Sequence, residues 1–214
     1  MMKMMSAAAL ALLATAPVFA QTTVTLDFEG ARGYVNAIAE YYNGGTDSVG
    51  HSGPNYGVSF SDAAVGLSND ELGPYYANAP TPLTVMFAFD NSAVMNVAAG
   101  FTGRLTFAYA SNVTTLDAVN IYAGLNGSGT LLASASLFGN ASLGCNTSAT
   151  AYCRFDLTSV KFAGVARSVS FGGNAGAVLF DAITITAVPE PSSYAMLALG
   201  LLAVGIAKRR SLQG

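Results

Sequence analysis

Tryptophan is missing from the 214 residues, histidine occurs once, as His51, and only 10% of the side chains are charged. Each scarcity excludes something. A single imidazole leaves no His-rich metal site and little scope for imidazole catalysis. The missing indole removes the largest ring that could stack on a sugar. Few charges beside 52% hydrophobic residues are the reverse of a disordered chain. Nine Lys and Arg against twelve Asp and Glu give a net charge of −3, which argues against nucleic acid as a partner. What the chain has in quantity is glycine, 23 residues, and long apolar runs at its two ends only.

The first run reads as a signal peptide. Lys3 precedes an uninterrupted stretch of small and apolar residues from Ser6 to Ala16, Pro17 breaks it, and Val18-Phe19-Ala20 places small residues where signal peptidase reads. Cleavage after Ala20 leaves Gln21 as the new N-terminus. The second run extends from Tyr194 to Ala207, behind Pro189-Glu190-Pro191 and ahead of Lys208, Arg209 and Arg210. As a helix it is about 21 Å long at 1.5 Å per residue. A relaxed span needs roughly 20 residues, so this one is short unless flanking residues snorkel. An amphipathic core helix would show a polar stripe, and this run, with Gly200 and Gly205 inside it, has none. The basic end would stay in the cytoplasm as a membrane stop, with everything before Val188 outside.

The order of Pro-Glu-Pro, short apolar helix and terminal basic cluster resembles the PEP-CTERM sorting signal of Gram-negative bacteria, here over residues 188–214. The resemblance implies recognition by exosortase, a membrane-embedded transpeptidase-like enzyme cutting at or near Pro189, Glu190 and Pro191. It implies an inner-membrane-anchored precursor that ends at the cell surface or outside the cell, often with exopolysaccharide or biofilm. It leaves the activity of the passenger unassigned.

Between the two ends lie residues 21–187, with five basic and eleven acidic side chains, a net of −6. That length suits one domain. Apolar and polar residues alternate with a period of two in Thr22–Phe28, Val58–Phe60, Leu105–Phe107 and Ile183–Ile185. Further strands are predicted at Leu83–Phe89, Val94–Ala98, Ala118–Tyr122, Thr130–Leu137, Tyr152–Leu157 and Arg167–Phe171. Gly, Asn, Asp and Ser clusters separate them. Asn126-Gly127 between two of them is a hairpin turn, and Val35–Tyr42 has room for a helical turn or two before Gly44-Gly45. About ten short strands predict an all-β fold, an antiparallel β-sandwich of jelly-roll-like form.

Cys145 and Cys153 are the only cysteines, and in an exported chain a lone pair predicts a disulfide. Glu29 follows the first strand and Asp181 opens the last. Strands that meet at the ends of a jelly roll would bring these carboxylates together, where a hard cation such as calcium would relieve their repulsion. The layout resembles the structural calcium site of many carbohydrate-binding jelly rolls, with the Gly44–Ser48 loop offering carbonyls or Asp47 as a further ligand. Solvated strand-end acids, or an ion pair with Arg32, are the plainer readings. Tyr41-Tyr42-Asn43-Gly44-Gly45-Thr46, followed by Gly53-Pro54-Asn55-Tyr56-Gly57-Val58-Ser59-Phe60, resembles a segment that precedes a β-sandwich of unassigned activity in exported proteins with the same tail. Tyr41, Tyr42, Tyr56, Tyr75 and Tyr76 offer sugar-stacking platforms, or else pack back on the sandwich edges. His51 with Asp47, Ser48 or Ser52 has the residue types of a triad but lacks a Gly-x-Ser-x-Gly elbow. These features predict a non-catalytic surface or matrix protein; the alternatives are a carbohydrate-binding module and, third, a secreted hydrolase.

Overall fold

In Thr22–Leu26 (β1) every second residue is apolar, and Val24 and Leu26 turn inward while the threonines face water. The same logic builds the rest of the molecule. The computed structural model describes residues 22–69, 74–145, 151–188, 197, 198 and 200–202. Its strands are β2 (Tyr34–Ala37), β3 (Val58–Phe60), β4 (Ala64–Ser68), β5 (Thr84–Ala88), β6 (Val94–Ser111), β7 (Thr115–Tyr122), β8 (Leu131–Leu137), β9 (Asp156–Ser170) and β10 (Val178–Ala187).

All paired strands are antiparallel, in the order β2-β4-β5-β10-β6-β9-β7-β8, with β1 on β10 and β3 on β6. The all-β expectation holds, and the sheet is sandwich-like: one apolar cluster takes residues from β1, β3 and every strand from β4 to β10. Phe107, Phe171 and Phe180 meet edge to face near its middle, the last two with ring centroids 4.8 Å apart. A second, smaller cluster lies on the opposite face, where Tyr76 and Ala141 cover Val85, Ala110 and Leu179. Burial on both faces explains why β5 reads as a continuous apolar run.

The first and last strands do meet. Thr22 to Leu26 pair with Ala187 to Ile183. Leu179 and Phe180, higher on the same edge of β10, pair with β5. A bulge at Ala182, whose φ is +49°, separates the two stretches just after Asp181.

The segments expected at Val94–Ala98 and Leu105–Phe107 are one long strand, bent at Gly100 and Gly103, both with φ above +80°. A Cβ on Gly100 would collide with Val165 and the Ala166 carbonyl, so the bend requires glycine. Tyr152–Leu157 and Arg167–Phe171 likewise overlap a single strand, β9. The helical turn expected at Val35–Tyr42 is corrected. Tyr34–Ala37 is a strand paired with β4, and only Ile38–Asn43 turns, through Tyr41 N–H to Ile38 O and Asn43 N–H to Glu40 O. Asn126 and Gly127 have φ of +56° and +65°, the left-handed pair that the β7–β8 hairpin turn needs. Among the described residues no helix is long and apolar enough to cross a membrane. The signal peptide, Pro189-Glu190-Pro191 and Lys208, Arg209 and Arg210 lie outside them, and of the apolar run only Leu197, Ala198 and Gly200–Leu202 are described, as helix.

Candidate functional site

Glu29 and Asp181 converge on one segment, Thr81–Thr84, which runs into β5. Asp181 is fully buried. Its Oδ2 accepts from Thr81 N–H at 2.8 Å, and its Oδ1 from Ala182 N–H at 2.6 Å. The Thr81 hydroxyl lies 2.9 Å from both Asp181 Oδ2 and the Asp27 carbonyl. Glu29 Oε1 accepts from Leu83 and Thr84 N–H at 2.9 and 3.0 Å. Burial pushes the Asp181 carboxyl up to about 6; the Thr81 and Ala182 donors pull it down, and the nearby Glu29 charge adds to the rise. Of the plainer readings, the ion pair of Glu29 with Arg32 is not formed among the described residues; Arg32 Nε donates to the Glu29 carbonyl at 3.0 Å.

These oxygens are the hard donors that suit calcium. They already accept N–H and O–H groups, so a cation would compete with Thr81, Leu83 and Thr84. Asp47 takes no part here. Among the described residues no three His, Cys, Asp or Glu side chains are grouped to hold a metal.

Asp47 sits instead in a hairpin of its own, closed by bridges between Asn43 and Asn55 and between Thr46 and Ser52. Its side chain is buried and accepts from Asn36 Nδ2 at 2.7 Å and from Val49 and His51 N–H. His51 Nδ1 lies 2.7 Å from Asp47 Oδ2 with its ring half exposed. Burial raises the Asp47 carboxyl, but the bonds from Asn36, His51 and Val49 outweigh it and hold the group below the usual carboxylate range. The pair has the base–orienter geometry of a triad. Ser48, however, donates to Asn36 Oδ1 at 2.6 Å and accepts from Ala37 N–H.

The tyrosines divide. Tyr41, Tyr42 and Tyr76 are buried, and Tyr42 ties the hairpin to the core by accepting from Phe28 N–H at 2.6 Å. Tyr56 is 41% exposed and stacks on Tyr42, with centroids 6.0 Å apart and planes at 14°. Tyr75 pairs with Tyr34, centroids 5.5 Å apart, at the mouth of an uncharged groove of about 310 Å³ that also takes in Leu67, Phe87, Tyr152 and Leu179. Sequence reasoning missed Tyr34 and Tyr152. Tyr34 is 64% exposed beside Val35, a β-branched residue at φ +57° where the β2–β4 register slips. Such strain and bulging re-aim side chains.

Cys145 and Cys153 form the expected disulfide, with Cα atoms 5.2 Å apart. It joins the chain after Ala141 to the chain after Tyr152, and both of those residues belong to the outer apolar cluster.

At the far end of β10, Ala187 is paired with Thr22 and with Phe101, and Val188 N–H donates to Gly100 O at 2.9 Å. The next residue is Pro189, which has no N–H for a ladder. A PEP-CTERM protein-sorting motif matches residues 187–210, starting on that last ladder residue. The chain carries this sorting signal. The PEP-CTERM motif implies recognition by exosortase and an exported, membrane-anchored precursor. No curated protein matches the chain.

Proposed function

We propose that this PEP-CTERM chain is an exported, non-catalytic protein of the cell surface or extracellular matrix of a Gram-negative bacterium, working with exopolysaccharide or biofilm. Signal peptidase and exosortase are its processing partners, and the jelly-roll-like passenger, residues 21–187, is the delivered product. The observation that carries the reading is the position of the motif, which begins where the sheet ends, so that tail removal would leave the β body whole. The engagement of Ser48 by Asn36 and Ala37 supports a non-catalytic role for the Asp47–His51 pair. A structural calcium held by Glu29 and Asp181 belongs to the same proposal.

A second reading, a carbohydrate-binding module, is favoured by the groove of Tyr34, Tyr75 and Tyr152, whose rings offer flat faces to the C–H side of a neutral sugar. Cell fractionation tests the first reading: the mature passenger is expected in the surface or extracellular fraction, and retention of all of it in the inner membrane would defeat it. Affinity electrophoresis of that mature protein in gels containing neutral polysaccharide tests the second. Retardation lost in Tyr34→Ala supports a binding module, and unretarded migration in every gel leaves the structural role.

A further inference from the structure

The sorting motif leaves the folded body with no slack. Val188 is still hydrogen-bonded to Gly100, and Pro189-Glu190-Pro191 follows immediately. Even fully extended, three residues reach only about 10 Å. Any enzyme that grips Pro-Glu-Pro must therefore abut the pole of the sandwich from which Val188 emerges.

That pole is shaped. Thr22, Asn55, Tyr56, Val97, Ala99 and Val188 line a hollow of about 320 Å³. Tyr56 is exposed yet fixed, its ring stacked on buried Tyr42 and its N–H donating to the Tyr42 carbonyl at 2.7 Å. A rigid, half-exposed aromatic ring is the kind of residue that anchors interfaces at small entropic cost. None of the lining residues is charged, although the passenger as a whole carries a net −6.

We propose that this hollow is a docking surface for the sorting enzyme, so that recognition extends from Pro189-Glu190-Pro191 onto the passenger through Tyr56. The inference rests on the sorting reading and goes beyond it, because it makes the folded domain part of the signal. The occupant is the extracytoplasmic face of exosortase, and the argument is continuity: the motif it reads begins inside the same pole.

The test uses the full chain in a host with exosortase, following loss of the tail by pulse-chase and mass spectrometry of the C-terminal peptide. Tyr56→Ala is expected to slow processing about tenfold, the loss typical of a truncated aromatic anchor, and Tyr56→Phe to process like the wild type. A Gly/Ser spacer of six residues between Val188 and Pro189 should slow it similarly, and Tyr56→Ala should add nothing in the spacer background. Ala99→Lys, which places a charge in the hollow at a different strand and leaves Tyr56 in place, guards against a folding artefact in Tyr56→Ala and is expected to slow processing too. Wild-type rates in the spacer and Ala99→Lys chains, or faster processing with the spacer, overturn the docking surface while leaving the sorting signal intact. A wild-type chain that keeps its tail beside active exosortase overturns both.

Discussion

Asp181 is the residue whose chemistry is most exposed to a simple measurement. Its carboxyl is pushed up to about 6 by burial, so the folded state holds a proton that the unfolded chain has already released above pH 4. Acidification from pH 7 toward 4 therefore stabilises the fold through this group, on the order of 2–3 kcal/mol in full. Asp47 works in the opposite sense, since its lowered pKa gives stability that is lost only as pH falls below the usual carboxylate value. The windows separate the two groups. Melting temperature in chelator should rise between pH 7 and 4.5, and Asp181→Asn should flatten that rise. If calcium occupies the site, added calcium at pH 7 raises the melting temperature of the wild type and not of Asp181→Asn; equal curves with calcium and chelator would dismiss the ion. The pairing of the first and last strands was legible, because such strands pair in folds of this kind. Thr81, which donates to Asp181, carried no signal: its role comes from a contact between residues 100 apart in the chain. Asp47 was misplaced for a related reason, since its partners Asn36 and His51 are set by the hairpin and not by strand order.

At the scale of elements, alternation located strands buried on one face, such as β1, and gave no sign of β4. β4 (Ala64–Ser68) shows no alternation, as Ala64, Val65 and Gly66 are all buried and a Cβ on Gly66 would strike the Ala31 carbonyl. β6 and β9 were divided in the sequence because Gly100, Gly103 and Gly164 look like breakers, whereas here glycines bend strands without ending them. The disulfide needed only the export context and two cysteines. Its ends are eight residues apart, so the chain-entropy account gives roughly 2–3 kcal/mol. Cys153 also donates its N–H to Ala141 O and accepts from Asn78 Nδ2. The bridge thus pins the cover of the outer apolar cluster and leaves the main core alone. The Cys145→Ser, Cys153→Ser double variant should lose about that much stability, with faster amide exchange over Ala141 and Cys153 and little change at Phe107 or Phe180. Uniform loss of protection through β6 and β10 would show that the cover and the core are one cooperative unit.

For the whole molecule, what was legible and what was not follows from who reads it. The sorting motif is contiguous in the chain, so Pro-Glu-Pro, apolar run and basic cluster are visible in the sequence before the fold is known, whereas a contribution from the pole beside Val188 is not. A ligand is read by side chains brought together, and Tyr34, Tyr75 and Tyr152 share a groove only after β2, β5 and the disulfide-closed segment are in place. The tail also has two physical futures. As a plain anchor, the apolar run from Tyr194 to Ala207 stays in the inner membrane, held at its end by Lys208, Arg209 and Arg210. As a sorting signal it holds the chain only until cleavage, and a run somewhat short of the roughly 20 residues of a relaxed span suits a temporary hold. The C-terminal peptide of the mature protein decides between them. In the native host the peptide is expected to end at or near Pro189-Glu190-Pro191, and to extend to Gly214 when exosortase is deleted. Replacing all three motif residues by alanine should give the same uncut, membrane-bound chain in the presence of the enzyme. Recovery of the tail through Gly214 in surface protein from the wild-type host would leave an anchor, and the passenger would then act at the inner membrane rather than beyond it.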